Sequence, residues 1–151
     1  MSETECSPGK VYVLGVGDDG REGLSRAAQS LIESADAIIG SQPLLTAVVE
    51  AAGVKAAGAR VVTEGDPEEV VRFVADHPRD RIVILASGDP LFYGTARFLC
   101  DRLGKDRFEV VPHVSSMQLA FARVKERWDE AYLTNLANQN FDRAIERIRT
   151  A

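Results

Sequence analysis

The chain has 151 residues, of which 45% are hydrophobic, and a formal net charge of −5 at pH 7. That length carries one domain, or one domain and part of a second, with apolar content sufficient for a buried core. Acids and bases are interspersed, which argues against a nucleic-acid binder, and no apolar run approaches the length of a membrane span.

Met1 to Lys10 is polar, without the apolar stretch of a secretory signal, and reads as a disordered N-terminus over residues 1–10. Cys6 and Cys100 form no metal-spaced pair, so the sequence predicts free thiols, no metal site and a cytoplasmic protein. Val11-Tyr-Val-Leu14 predicts the first strand, which runs into Gly15-Val-Gly-Asp-Asp-Gly20. A helical period follows through Leu24, Ala27, Ala28, Leu31 and Ile32. Ala37-Ile-Ile39 predicts a second strand closed by Gly40-Ser41, and Pro43 suits the first turn of a helix running toward Gly53. Arg60-Val-Val62 reads as a third strand. Asp66-Pro67-Glu68-Glu69 is a helix start, with a capping carboxylate, proline at the first position and acids in the first turn. That helix ends near His77-Pro78.

Ile82 to Ala86 is an uninterrupted apolar run rich in β-branched residues, as expected of a strand buried on both faces. Ser87-Gly88-Asp89-Pro90 stops it with small residues and one acid, and a helical period resumes from Gly94 to Leu103 before Gly104. Strand, small-residue loop, then helix is where open α/β sheets place ligands. Phe108-Glu-Val-Val111 predicts a fifth strand, Ser115 or Ser116 a helix cap, Ala131-Tyr-Leu133 a further strand and Phe141 to Ile148 an amphipathic helix. The alternation implies right-handed crossovers and an α/β fold, with a parallel five-stranded sheet and helices on both faces. A boundary is expected near residue 113: an α/β domain over 11–113, then the start of a second, cut short, over 114–151.

Gly15, Gly17 and Gly20 satisfy G-x-G-x-x-G after a strand, which makes a dinucleotide-dependent oxidoreductase one class to weigh. Against it, no acid ends the second strand, and Asp36 lies before that strand. Asp18 and Asp19 would also meet the pyrophosphate, where like charges ~4 Å apart repel by about 4 kcal/mol near a surface. A ligand without phosphates, or carrying positive charge, meets no such penalty. Glycines that only shape a tight turn are the plain structural reading. A non-catalytic binding module is a third class, suggested by the second domain being cut short.

Three segments occur together: Val13-Leu-Gly-Val-Gly-Asp-Asp-Gly-Arg-Glu-Gly-Leu-Ser25, Ala86-Ser-Gly-Asp-Pro-Leu-Phe-Tyr-Gly94 and Val110-Val-Pro-His-Val-Ser-Ser-Met-Gln-Leu-Ala-Phe-Ala122. In this combination the chain resembles the tetrapyrrole methylases, which use S-adenosylmethionine in a cleft between two α/β domains. It is most similar to the branch that methylates carbon 5 of a late precorrin or cobalt-precorrin in cobalamin biosynthesis. The resemblance implies cofactor contacts from Ser87, Gly88, Asp89, Phe92, Ser115 and Ser116, with Asn135-Leu136-Ala137 as a further contact segment. It places Gly15, Gly17 and Asp18 on the tetrapyrrole side, with Tyr93 able to line the substrate wall or to pack between domains. It also implies a homodimer and a partner activity that methylates carbon 15 and decarboxylates.

Methyl transfer from a sulfonium needs alignment and desolvation more than acid–base groups, so the lack of a nucleophile–base pair fits. His113 is the one histidine placed to take a ring proton, although a hinge histidine can also serve packing. Arg97, Arg123, Lys125 and Arg127 are cations suited to substrate carboxylates, or simply solvated helix faces. Met117 and Phe121 could touch the macrocycle or pack at helical spacing. Asp89 could equally form a turn with its own loop.

Overall fold

The computed structural model describes residues 9–50, 58–134 and 140–150. Cys6, the run of the second helix toward Gly53 and the segment Asn135-Leu136-Ala137 lie outside the described residues. The chain divides into two compact units, Met1–Ser115 and Ser116–Ala151.

The first unit is built on five parallel strands: β1 (Val11–Val16), β2 (Ala37–Gly40), β3 (Arg60–Thr63), β4 (Ile82–Ser87) and β5 (Phe108–Val111), in the order β3-β2-β4-β1-β5. The predicted sheet is present with all five strands. Its period of two sends alternate side chains to opposite faces. Leu14, Ile38, Val83 and Leu85 pack on one face against Ala28, Leu31 and Ile32 of α1 (Arg26–Glu33), Leu45 of α2 (Gln42–Leu45) and Val48. Val13, Ile39, Ile82 and Ile84 pack on the other against Val70 and Val74 of α3 (Pro67–Asp76) and Ala96 and Leu99 of α4 (Thr95–Leu103). β4 is thus apolar on both sides, and burying one such side chain contributes about 1.5–3 kcal/mol.

The helix boundaries follow the capping residues. Ser25 Oγ accepts the Ala28 N–H at 3.1 Å, and Asp66 accepts the Glu68 N–H at 3.1 Å with Pro67 as the first helical residue. Gly104, at φ +83°, ends α4. α2 passes into a π-helical stretch, Thr46–Glu50. At the amino edge of the sheet, Asp36 accepts two hydrogen bonds from the Arg81 guanidinium, at 2.7 and 2.9 Å, and a third from the Arg81 N–H at 2.8 Å. These bonds hold the Asp36 carboxyl at about 2. Asp36 is therefore a strut between the starts of β2 and β4, at the far end of the strands from any carboxyl-edge ligand.

The second unit contains α5 (Ser116–Val124) and α6 (Phe141–Thr150), the latter capped by Asn140, whose Oδ1 accepts the Asp142 N–H at 3.0 Å. The strand predicted over Ala131-Tyr-Leu133 is absent: the backbone there is irregular, and Ala131 N–H turns back to the Trp128 carbonyl. A strand needs a ladder partner, and among the described residues this unit has no other strand.

Candidate functional site

The strand order decides where a ligand can enter. β1 and β2 send their following helices to one face, whereas β3 and β4 send theirs to the other. β4 therefore has, on each side, a neighbour whose chain departs in the opposite direction. Such reversals open crevices at the carboxyl ends of the strands.

Glycines let three loops meet there. Gly15 lies opposite Ala86 in the β1–β4 ladder, and a Cβ on it would stand 2.1 Å from the Gly88 carbonyl oxygen and 2.7 Å from the His113 nitrogen. Gly88 donates its N–H to the Val16 carbonyl at 2.8 Å and has φ +63°, a conformation that favours glycine. A Cβ on Gly88 would lie 3.2 Å from the Ser115 Cα. Gly15, Gly88, His113 and Ser115 thus form one interlocked edge, and Ser115 is the buried polar residue of this unit's core.

Beside that edge lies a pocket of about 300 Å³ at the carboxyl ends of β2, β3 and β4. Ser87, Asp89, Phe92 and Tyr93 line it together with Ser41, Leu44 and Glu64. Asp89 makes the local turn: its Oδ1 accepts the Leu91 N–H at 2.9 Å, and its carbonyl accepts the Phe92 N–H at 3.0 Å. Phe92 and Tyr93 stand edge to face, 5.0 Å between centroids. Tyr93 is 53% exposed and adopts φ +52°, a left-handed backbone that costs a non-glycine residue about 1 kcal/mol or more.

Ser41 and Glu64 were not singled out from the sequence. Both stand just past the end of a strand, a position the switch-point rule would have flagged once the strand order was known. The Glu64 N–H donates to the Gly40 carbonyl at 2.8 Å, and burial pushes its carboxyl up from the ordinary carboxylate range.

The remaining candidates are not among the residues that line the pocket. Asp18 is exposed on the first loop, and Ser116 opens α5 in the second unit. His113 fills the space over Gly17, with Nε2 3.2 Å from the Gly23 carbonyl and 4.0 Å from Asp19. Its Nδ1 is buried without a hydrogen-bond partner among the described residues. Arg97 pairs with Asp101 and Arg127 with Asp129, both on exposed surface; Arg123 and Lys125 are also exposed. Met117 and Phe121 of α5 are half-buried.

The dinucleotide arrangement is not formed. Its phosphate site needs a helix starting at the third glycine. Here Gly20–Gly23 is a short 3-10 turn, α1 begins only at Arg26, and Ser25 already caps it. The His113 ring occupies the side of Gly17, where a pyrophosphate would approach.

Residues 10–149 match the family model described as Tetrapyrrole (Corrin/Porphyrin) Methylases. The chain belongs to the tetrapyrrole methylases. The chain is 32% identical over 123 residues to a cobalt-precorrin-7 C(5)-methyltransferase of Salmonella typhimurium, an alignment covering 82% of this chain and 59% of that protein. A precorrin-6Y methylase from Archaeoglobus fulgidus, seen by crystallography, superposes with a TM-score of 0.63 at 27% identity, covering 80% of this chain and 61% of that one. A uroporphyrin-III C-methyl transferase from Thermus thermophilus, crystallised with S-adenyl homocysteine, shares the fold at a TM-score of 0.55 and 24% identity, covering 74% of this chain and 48% of that one. The chain thus spans about three fifths of the length of the curated cobalt-precorrin-7 methyltransferase it matches.

Proposed function

We propose that this tetrapyrrole methylase chain binds S-adenosylmethionine at the turn leaving β4 and serves methylation of carbon 5 of a late precorrin or cobalt-precorrin. The observation that carries the reading is the composition of the β4 pocket. Two carboxylates, serine hydroxyls and two aromatic rings line it, and among the described residues no lysine, arginine or histidine is in its walls. That surface disfavours phosphate and favours a ligand bearing positive charge. The names of the Salmonella and Archaeoglobus proteins support the corrin substrate, and the S-adenyl homocysteine bound to the Thermus enzyme supports the cofactor.

S-adenosylmethionine supplies a methyl group on a sulfonium, already activated for in-line displacement by a nucleophilic ring carbon. What the protein contributes is placement and exclusion of water. Ser87 lines the pocket, and Gly88, whose N–H is bonded to the Val16 carbonyl, sets the turn that presents Asp89. Asp89 offers a carboxylate held by its own turn, and Phe92 and Tyr93 offer flat apolar walls. The ring nitrogen of His113 that faces Gly23 is engaged, so a catalytic role for this residue would run through Nδ1. The resemblance further suggests that Gly15, Gly17 and Asp18 face the tetrapyrrole. It also suggests cofactor contacts from Ser115 and Ser116, a homodimer and a partner activity at carbon 15, while the isolated cysteines suggest a cytoplasmic protein. Among the described residues no helix is long and apolar enough to cross a membrane.

Isothermal titration with S-adenosylhomocysteine and with NAD(P) tests the proposal. The first is expected to bind and the second not. Asp89→Ala is expected to weaken the first by about tenfold or more, the scale of one charge-assisted hydrogen bond. Binding of NAD(P) in place of the thioether would overturn the reading, and an unaltered Asp89→Ala would remove that carboxylate from the site.

A further inference from the structure

The carboxylate of Glu64 is the feature of the pocket that neither the family motifs nor the interlocked glycines explain. Its backbone is anchored to the end of β2 through the Gly40 carbonyl, and it lines the same pocket as the residues of the β4 turn. Burial raises its carboxyl, with no compensating cation or hydrogen bond contributing. Among the described residues no ion pair includes Glu64. Asp36 shows the contrast: there an arginine sits on the acid and drives it the other way. A carboxylate drawn partly out of water without a counter-charge is a destabilising arrangement unless a ligand completes it.

We propose that Glu64 is a cofactor-binding residue, the acceptor for the α-ammonium group of the S-adenosylmethionine amino-acid end. This rests on the methylase reading above and deepens it. The choice of the ammonium over the sulfonium follows from donor chemistry. An ammonium presents three N–H donors that a carboxylate can accept, whereas a sulfonium presents none. The choice of Glu64 over Asp89 follows from what each acid already holds: one Asp89 oxygen is tied to the Leu91 N–H, whereas burial alone acts on the Glu64 carboxyl, with no hydrogen bond or cation offsetting it. Phe92 and Tyr93 line the same pocket, so its walls offer two rings to the aliphatic part of such a ligand as well as an acid to its ammonium.

The test pairs a protein change with a ligand change. S-adenosylhomocysteine and its des-amino analogue, which lacks only the ammonium, are titrated into the wild-type chain and into Glu64→Gln, with thermal melting as the check on folding. The expected result is that wild type binds the des-amino compound about tenfold or more weaker than the parent, the scale of a charge-assisted hydrogen bond. Glu64→Gln is expected to lose that preference, binding the two alike while its affinity for the des-amino compound stays at the wild-type value. Undiminished affinity of Glu64→Gln for S-adenosylhomocysteine overturns the assignment, as does an equal loss for both compounds. Should Glu64→Gln fail to fold, Glu64→Ala is titrated in its place with the same expectation, and equal binding of the two compounds by wild type would by itself rule out ammonium recognition. Failure of wild type to bind either compound would instead bring down the proposed cofactor site at the β4 turn, and this inference with it.

Discussion

Gly15 is the residue with the least room around it. A methyl group there would meet two backbone atoms, the Gly88 oxygen at 2.1 Å and the His113 nitrogen at 2.7 Å, and backbone cannot swing aside. Gly15→Ala is therefore expected to destabilise the fold by about 2 kcal/mol or more, read as a fall in melting temperature. Gly17→Ala should cost less, because its Cβ would meet the movable ring of His113. Asp36 makes a prediction in pH. Its folded carboxyl lies at about 2 against an ordinary value of 3.8, so the unfolded chain takes up the proton first as the solution is acidified. The Arg81 pair stabilises fully above the ordinary value, and that contribution drains away as the pH falls through the folded one. Melting curves across this range should show a shallower acid limb for Asp36→Asn than for wild type. The sequence already marked Asp36 as lying at the wrong end of its strand for a ribose. It could not show Arg81 as the partner, because that pairing depends on β2 and β4 being neighbours.

At the scale of elements, local chemistry carries most boundaries. Asp66 with Pro67 starts α3 as predicted, and Asp66→Ala should cost about 1 kcal/mol in a denaturant melt by removing the acceptor of the Glu68 N–H. Leu99 of α4 is fully buried, so Leu99→Ala should cost about 2–5 kcal/mol, whereas Val124→Ala, at 66% exposure, should be nearly silent. The five strands were legible because each is a short apolar run between turn residues. Ala131-Tyr-Leu133 has the same local character and is not a strand. Local propensity makes a segment able to pair, but only a neighbouring strand makes it pair, and neighbours are not written locally. The first loop misleads for a related reason. Glycines that admit a pyrophosphate and glycines that admit another loop have the same spacing, and here Gly15 and Gly17 admit the β4 turn and His113.

At the scale of the molecule, the order β3-β2-β4-β1-β5 turns a sheet of ordinary strands into a site. It sets the β4 turn between two loops that depart to the opposite face, and it brings Ser41 and Glu64 to the same pocket as Ser87 and Asp89. The β4 half of that pocket was readable from one contiguous stretch of sequence, because a strand, a small-residue turn and a helix identify themselves in succession. The β2 and β3 half was not, because Ser41 and Glu64 reach the pocket only through strand order. Everything functional rests on the β4 turn being a binding surface for a cationic nucleoside. The most direct measurement is an amide NMR titration of the chain with S-adenosylhomocysteine. The account predicts shifts at Ser87, Gly88, Asp89 and Phe92, with the amides of Gly20 to Ser25 little changed. Shifts confined to Gly20 to Ser25, or a β4 turn that stays silent while the ligand binds elsewhere, would contradict it.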